Sequence, residues 1–467
     1  MRKHSQHVSK NQRVNKPPRA KPACRPHAQD GLEGAGFLGA WQALLGLARL
    51  PSVGQRRGRK PRVALAHLLS ALVFHAMNQA GTLAEHFAML FEDSLNESGC
   101  ANRRARLPWE VFAELMRRVL RPLANARRHQ EAYWRSWRLA ALDGTQFSVT
   151  NTPQNNGALR KAKARRGRAA FAKITTSVLL ELGLHNPLAV AIGHKGQSEW
   201  ELSLSLLAQL PKKVLLLADR LSGCAAFAAE ALRACRRVGS QFLFRARTQI
   251  KVEVVRRFKD GSRLVRVPVR KKGRPREIVE WLELRQIRVQ LHRKGHRPVE
   301  LRLWTTLLDP KLAPALELVE LYAKRWEHEL FYRELKCQLR KNALLQSHTV
   351  TTAAQEIAAL MLAAALLAKE RDRAARGHVP VLRVSFVKLL ELVRPLWLTL
   401  ALGQDLLEEW QKQELAERFY RKAGNLLTPK RRPRSCPRKV RQPVSGWPRL
   451  MKNQYEEGPV TFKFAQP

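Results

Sequence analysis

From Leu32 to about Ala126, apolar residues recur three and four positions apart. The stretches GFLGAWQALLGLARL, RVALAHLLSALVFHAMNQAG and LPWEVFAELMRRVLRPLANA all show this spacing, which predicts helices. Between them, PSVGQRRGRKPR and NESGCANRRARLP carry the Gly, Pro and polar clusters of loops. The pattern then changes. WRLAALDGTQFSVT (Trp137 to Thr150) predicts a strand, and KITTSVLLELGL and NPLAVAIGHKG predict two more, joined by a turn at His185-Asn186-Pro187. Next come a helix over SEWELSLSLLAQL, a buried-type strand VLLLAD ending at Asp219, a helix over CAAFAAEALRACRRVG and a strand opening at QFLFRART.

A three-strand meander followed by β–α alternation is the order expected of a mixed α/β core of the ribonuclease H type. From Thr248 to Leu308 the pattern is strand after strand, with KDG, KKGRPR and HRKGHRP as turns, so an all-β insertion is expected there. Leu321 to Lys341, LYAKRWEHELFYRELKCQLRK, has no Gly or Pro and predicts one long helix. TTAAQEIAALMLAAALLAKERDRA is its expected buried partner, and a further helical segment runs from about Leu382 to Arg421. The expected organisation is a disordered basic tail (1–31), a helical domain (32–126), the first part of an α/β core (127–247), the β insertion (248–308), the second part of the core (309–375), a helical segment (376–423) and a basic tail (424–467). The helical domain suits DNA binding or a plain scaffold equally well.

Charge narrows the choice of partner. The chain has 467 residues with 85 Lys and Arg against 38 Asp and Glu, a net charge of +47. Self-repulsion makes such an excess costly unless a polyanion neutralises it, so nucleic acid leads and an anionic membrane surface comes second. The longest uninterrupted apolar run, Ile357 to Ala368, is too short to span a bilayer. The basic N-terminus has no apolar core to follow it and is no secretory signal. The six cysteines (Cys24, Cys100, Cys224, Cys235, Cys337 and Cys436) are scattered without a CxxC pair. That counts against a zinc ribbon or a disulfide framework and fits a reducing cytoplasm. His292 and His296 lie in a basic turn broken by Gly and read as solvated.

Three acids stand out by context. On the helix over Leu321 to Lys341, Tyr322, Arg325, Glu329 and Lys336 fall within a fan of roughly 60° at about 100° per residue. A solvated face with an i,i+4 ion pair would also do this, although Arg before Glu is the less favourable order. Asp143 follows an apolar strand start and precedes Gly144-Thr145, as a hairpin turn or a catalytic carboxylate would. Asp219 closes the strand VLLLA, where open α/β sheets place ligands and where helix N-caps also occur. Together the three carboxylates suit a pair of Mg²⁺ ions, with Mn²⁺ as a substitute, because hard divalent cations prefer carboxylate oxygens. Two ions about 4 Å apart would activate an attacking oxygen and stabilise a leaving one.

The spacing Tyr322-x2-Arg325-x3-Glu329-x6-Lys336 resembles the Y-R-E-K signature of the insertion-sequence-4 family of DDE transposases. LDGT at Leu142 to Thr145 is similar to the family's first-Asp motif. LLLADR at Leu215 to Arg220, followed by a helix and by FLFR at Phe242 to Arg245, is similar to the second. The likeness covers roughly Leu139 to Ala374. After Asp219 the chain departs from it, since Arg220-Leu221-Ser222-Gly223 lacks the usual Gly-Phe or Gly-Tyr. The resemblance implies a cut-and-paste transposase with Asp143, Asp219 and Glu329 as catalytic, metal-binding triad. It implies that Tyr322, Arg325 and Lys336 contact double-stranded transposon-end DNA, with Arg220 and Arg333 as further contacts. It also implies a homodimer on DNA, in the cytoplasm and nucleoid of a bacterium. Trp281 and Trp304 are candidates for the insertion aromatic of members that pass through a DNA hairpin, or are core residues. A metal-dependent nuclease without strand transfer, and an inactive DNA-binding descendant, are the alternatives.

Overall fold

The computed structural model describes residues 63–429 and 461–464, apart from 79, 92–94, 165–166, 272, 293–297, 341–343 and 404. The N-terminal basic tail, the expected helix within 36–50 and most of the C-terminal tail lie outside the described residues.

Four helices open the described chain: α1 (Leu65–Met77), α2 (Leu83–Leu90), α3 (Glu97–Ala105) and α4 (Trp109–Val119). One of them corrects the sequence reading. α3 occupies the expected loop NESGCANRRARLP, started by the Asn96 side chain, which accepts the Gly99 N–H at 2.7 Å. α2 is fixed by a reciprocal cap between Thr82 and Glu85. The helices do not stand apart from the sheet. Their apolar faces enter one hydrophobic core with α10 (Val350–Ala375). Arg104 and Gln355 tie the two regions together, through Arg104 to the Thr352 carbonyl at 2.9 Å and Gln355 to the Arg104 carbonyl at 3.0 Å.

The sheet begins with β1 (Tyr133–Trp134) and β2 (Trp137–Val149). After the short α5 (Pro153–Ala158) and the hairpin β3 (Lys163–Ala164) and β4 (Gly167–Arg168), the meander continues in β5 (Lys173–Glu181) and β6 (Asn186–Ile192). Then α6 (Glu199–Leu207), β7 (Val214–Ala218), α7 (Ala225–Arg237) and β8 (Gln241–Arg245) alternate as expected. The order is β6-β5-β2-β7-β8, with β7 parallel to β2 and to β8, and β5 antiparallel to β2. Residues Leu139, Ala141, Leu215 and Leu217 face one core and Ala140, Leu142, Leu216 and Ala218 the other. Burial on both faces is why β2 and β7 begin as unbroken apolar runs.

The segment expected as an insertion holds β9 (Glu253–Arg257), β10 (Arg263–Lys271), β11 (Arg274–His292) and β12 (Val299–Thr305). β12 pairs with β8, so these strands prolong the same twelve-stranded sheet. Trp304 is fully buried, as a core aromatic, whereas Trp281 is exposed on β11.

The long helical stretch differs in detail from a single α-helix. It starts earlier, as α8 (Ala315–Tyr322), tightens into a 3₁₀ turn at Ala323–Arg325, resumes as α9 (Trp326–Arg333) and widens into a π turn at Glu334–Leu339. Such π turns concentrate at functional sites. β13 (Leu344–Leu345) then runs parallel to the end of β2. By length and composition α10 could cross a membrane, but 83% of its apolar window is buried inside the protein, as in a core helix. Its Arg371 and the imidazole of His185 hold Glu334 at 3.2 and 2.6 Å, which anchors the π turn to α10 and to the β5–β6 turn. The C-terminal helical segment is two helices, α11 (Phe386–Leu402) and α12 (Glu409–Gly424). Part of the expected basic tail returns as β14 (Thr461–Phe464), paired with β11.

Candidate active site

Strand register brings the two aspartates together. Leu142 pairs with Ala218, the last residue of β7, so Asp143 and Asp219 are the next positions on adjacent parallel strands. Residues in register on parallel strands point to the same face. Asp143 therefore faces the side of Ala141, where the helical rod carrying Glu329 lies, and Asp219 follows directly on the end of β7 beside it. Asp143 sits within β2, still paired with Val178 of β5, which excludes a hairpin turn. Asp219 does not cap α7, whose N-cap is Cys224; its carboxylate instead accepts the Leu221 N–H at 2.7 Å.

Arg325 stands between the acids. Its guanidinium lies 3.3 Å from Asp143 Oδ2 and 3.8 Å from Glu329 Oε1. The i,i+4 pair is thus real, but it is also one side of a three-body contact. Burial, followed by the charge of Asp219, raises the Asp143 carboxyl to about 7, with Arg325 opposing and Glu329 adding to the rise. Glu329 is the most open of these groups, with 44% of its side chain exposed.

The other signature residues bind the rod to the sheet. Tyr322 is buried, and its hydroxyl donates to the Ala218 carbonyl at 3.3 Å, pinning the end of β7 next to Asp219. Burial pushes its phenol up to about 12. Lys336 donates to Thr145 Oγ1 and to the Gln146 carbonyl, and lies 4.9 Å over the Phe147 ring. Burial, then Lys173, lowers its ammonium below the usual range. Tyr332, which the signature does not single out, donates to the Asp143 carbonyl at 2.8 Å. The stripe foreseen on the sequence therefore faces inward at both ends: its tyrosine and its lysine grip β7 and β2. Arg220 and Arg333 are exposed.

The loop after Asp219 is held against the end of β8 at Gly223. A Cβ at Gly223 would lie 1.8 Å from the Arg245 carbonyl oxygen, and the Gly223 carbonyl accepts the Arg247 N–H at 3.0 Å. The loop packs too closely on the end of β8 for a side chain at this position.

One carboxylate escaped the sequence reading. Glu199, the first residue of α6, lies against Gly144 from the opposite face of the sheet. Its acid is raised first by burial and next by Asp219, while the Gly144 N–H favours its ionised form. Nothing in the stretch SEWELS marked it, because a Glu in a first helical turn is ordinary.

The residues present suit a divalent cation, although among the described residues no three acids, histidines or cysteines are drawn together tightly enough to hold one ion. The carboxylates are hard oxygen donors, burial and then their mutual repulsion raise Asp143, and the cation beside Asp143 and Glu329 is the Arg325 guanidinium.

Residues 135–368, half of the chain, match the family model described as the transposase DDE domain. The chain belongs to the DDE transposases. It is 26% identical over 310 residues to the transposase InsG for insertion sequence element IS4 of Escherichia coli strain K12, over 65% of this chain and 68% of that protein. This places the transposase in the insertion-sequence-4 family. A cryo-EM structure of the piggyBac transposase synaptic complex with hairpin DNA is a distant likeness, 10% identical with a TM-score of 0.41, covering 86% of this chain and 83% of that one.

The buried setting of Tyr322 gives a direct prediction. Replacing Tyr322 by Phe removes one hydrogen bond to Ala218 and lowers stability by about 1 kcal/mol. Denaturant unfolding shows the loss, while affinity for duplex DNA stays within twofold of wild type. A tenfold weaker affinity would restore the DNA contact that the family resemblance implies for this residue.

Proposed function

We propose that this transposase cuts phosphodiesters at the ends of its element and joins the freed 3′-OH to target DNA on a ribonuclease H-like core. The observation that supports this most is the register of Asp143 beside Asp219 at the end of β7, opposite the rod that carries Glu329. Asp143, Asp219 and Glu329 would hold two divalent ions, Mg²⁺ or in its place Mn²⁺. When bound, such ions polarise the attacking and leaving oxygens of an in-line displacement.

The chain's own residues do the rest. Arg325 offsets part of the repulsion among the acids before DNA and metal arrive, and its charge is then available to a phosphate. Tyr322, Tyr332 and Lys336 fix the ends of β7 and β2, so the two aspartates keep their register. Arg220 and Arg333, exposed beside the acids in sequence, take the backbone of the duplex.

A cluster of arginines lies on the outer strands, with Glu300 paired to two of them, Arg288 and Arg302. Arg302, Arg288, Arg263 and Arg257 follow one another on β12, β11, β10 and β9, with pairs Arg288–Arg302 and Arg263–Arg257 in register. Burial and the three neighbouring guanidiniums hold Arg263 below the usual arginine range. Such crowding is relieved by a polyanion. Synapsis of two ends calls for a homodimer on DNA, and the site of action is the bacterial nucleoid. The exposed Trp281 is the candidate insertion aromatic if a hairpin is formed.

The test is a joining reaction with pre-cut end DNA, a supercoiled target and Mg²⁺. A joined product is expected. Cutting of uncut ends without any joined product would make the chain a nuclease, and binding with neither reaction would make it an inactive DNA-binding protein.

A further inference from the structure

The end of β7 leaves a notch in the sheet. β2 runs on past Ala218, so beyond that point its edge has no β7 partner. Asp143 lines the notch from the face of the rod. The next residue, Gly144, turns its missing side chain to the opposite face, because successive strand positions alternate. Glu199 fills that place. An ideal Cβ at Gly144 would lie 2.2 Å from the Glu199 Cδ and 2.3 Å from its Oε1. The absence of a side chain at 144 is what lets this carboxylate reach the strand edge.

Glu199 is anchored for this purpose at the base of its helix. Ser198 caps α6 by accepting the Glu201 N–H, and the Glu201 carboxylate returns to the Ser198 N–H at 2.8 Å. The cap is complete without Glu199, so its carboxylate is left to the notch. The Gly144 N–H itself donates to Asp143 Oδ1 at 2.9 Å. Glu199 and Asp143 thus meet the same strand residue, Gly144, from opposite faces of the sheet.

We infer that Glu199 is a fourth acidic residue of the divalent-metal site, closing from the opposite face of the sheet the cage formed by Asp143, Asp219 and Glu329. The inference rests on the metal-dependent reading above. It assigns Gly144 a role as well: the residue after the first Asp must lack a side chain so that Glu199 can pass.

Mn²⁺ binding to the full-length protein, followed by electron paramagnetic resonance and by calorimetry, tests this without any turnover. Glu199→Gln is expected to weaken Mn²⁺ about 10-fold or more, within the span seen when groups supporting a metal are removed. Glu199→Asp, which keeps the charge, recovers part of the loss. Gly144→Ala displaces the carboxylate without removing it and gives a similar loss, and the Gly144→Ala/Glu199→Gln double variant is no worse than either single one. Circular dichroism and thermal unfolding check that the fold survives. Asp143→Asn serves as the reference. If it weakens Mn²⁺ and Glu199→Gln does not, Glu199 lies outside the site and the triad stands. If Asp143→Asn leaves Mn²⁺ binding unchanged, the metal-site reading itself is overturned, and this inference with it.

Discussion

Asp143→Asn, Asp219→Asn and Glu329→Gln are each expected to abolish both cleavage and joining, by about 10³-fold or more, with binding of duplex DNA retained. The size follows from chemistry: metal-assisted stabilisation of a phosphoryl transition state is worth several kcal/mol, and each 1.36 kcal/mol is about a factor of ten. An amide keeps the shape of the carboxyl but not the charge that holds a divalent ion. Binding persists because affinity for DNA comes from cations on phosphates, and removing one negative charge from a +47 chain strengthens that attraction. Gel-shift titration and a strand-resolved cleavage assay read the two outcomes separately. Normal cleavage by Glu329→Gln would remove that residue from the triad.

Without divalent metal, Asp143→Asn is more stable than wild type above neutral pH, and the difference disappears on acidification. The Asp143 carboxyl moves from its ordinary value near 3.8 up to about 7 in the folded protein. Between those values the folded state binds the proton more readily than the unfolded chain, so wild-type stability falls as pH rises through this window. Above about pH 7 the folded protein carries the full cost of a buried carboxylate beside Asp219. A shift of about three units corresponds to ~4 kcal/mol at most. Asn removes this cost and flattens the pH profile. Added Mn²⁺ or Mg²⁺ stabilises wild type and not the variant, because the cation binds the charged form. Urea unfolding in EDTA at pH 5 and pH 8 decides the matter; equal stability of the two proteins at pH 8 would mean that Asp143 is not under this electrostatic load.

The same strain is the working state of a site assembled from acids that repel one another. Arg325 relieves part of it, at 3.3 Å from Asp143 and 3.8 Å from Glu329. This also explains the unfavourable order of the pair within its helix. Arg325 faces a strand as well as Glu329, so the geometry of a lone helix was never its main constraint.

Much of the fold was legible in the chain because periodicity reports burial. Strands β2, β5, β6, β7 and β8, and helices α6, α7 and α10, lie where their apolar spacing put them. Helix α3 was missed because NESGCANRRA has little apolar periodicity, and its start depends on one Asn96 cap. The rod was expected as a uniform α-helix, and no local residue signals its 3₁₀ and π turns. The π turn lies where Glu334 is held by His185 and Arg371, partners 149 and 37 positions away.

The sequence by itself determined the order of strands and helices and the net charge, and it singled out the three candidate acids. These are local quantities, set by side-chain type and spacing along a few turns or strands. Tertiary structure alone decided which acids meet, and that the signature's Tyr322 and Lys336 face the sheet. It also brought Glu199 to Gly144 from the far side and joined the β segment to the core through β12 and β8. Those outcomes depend on the register of β2 against β7 and on where β7 stops, and register is a relation between segments that neither carries alone.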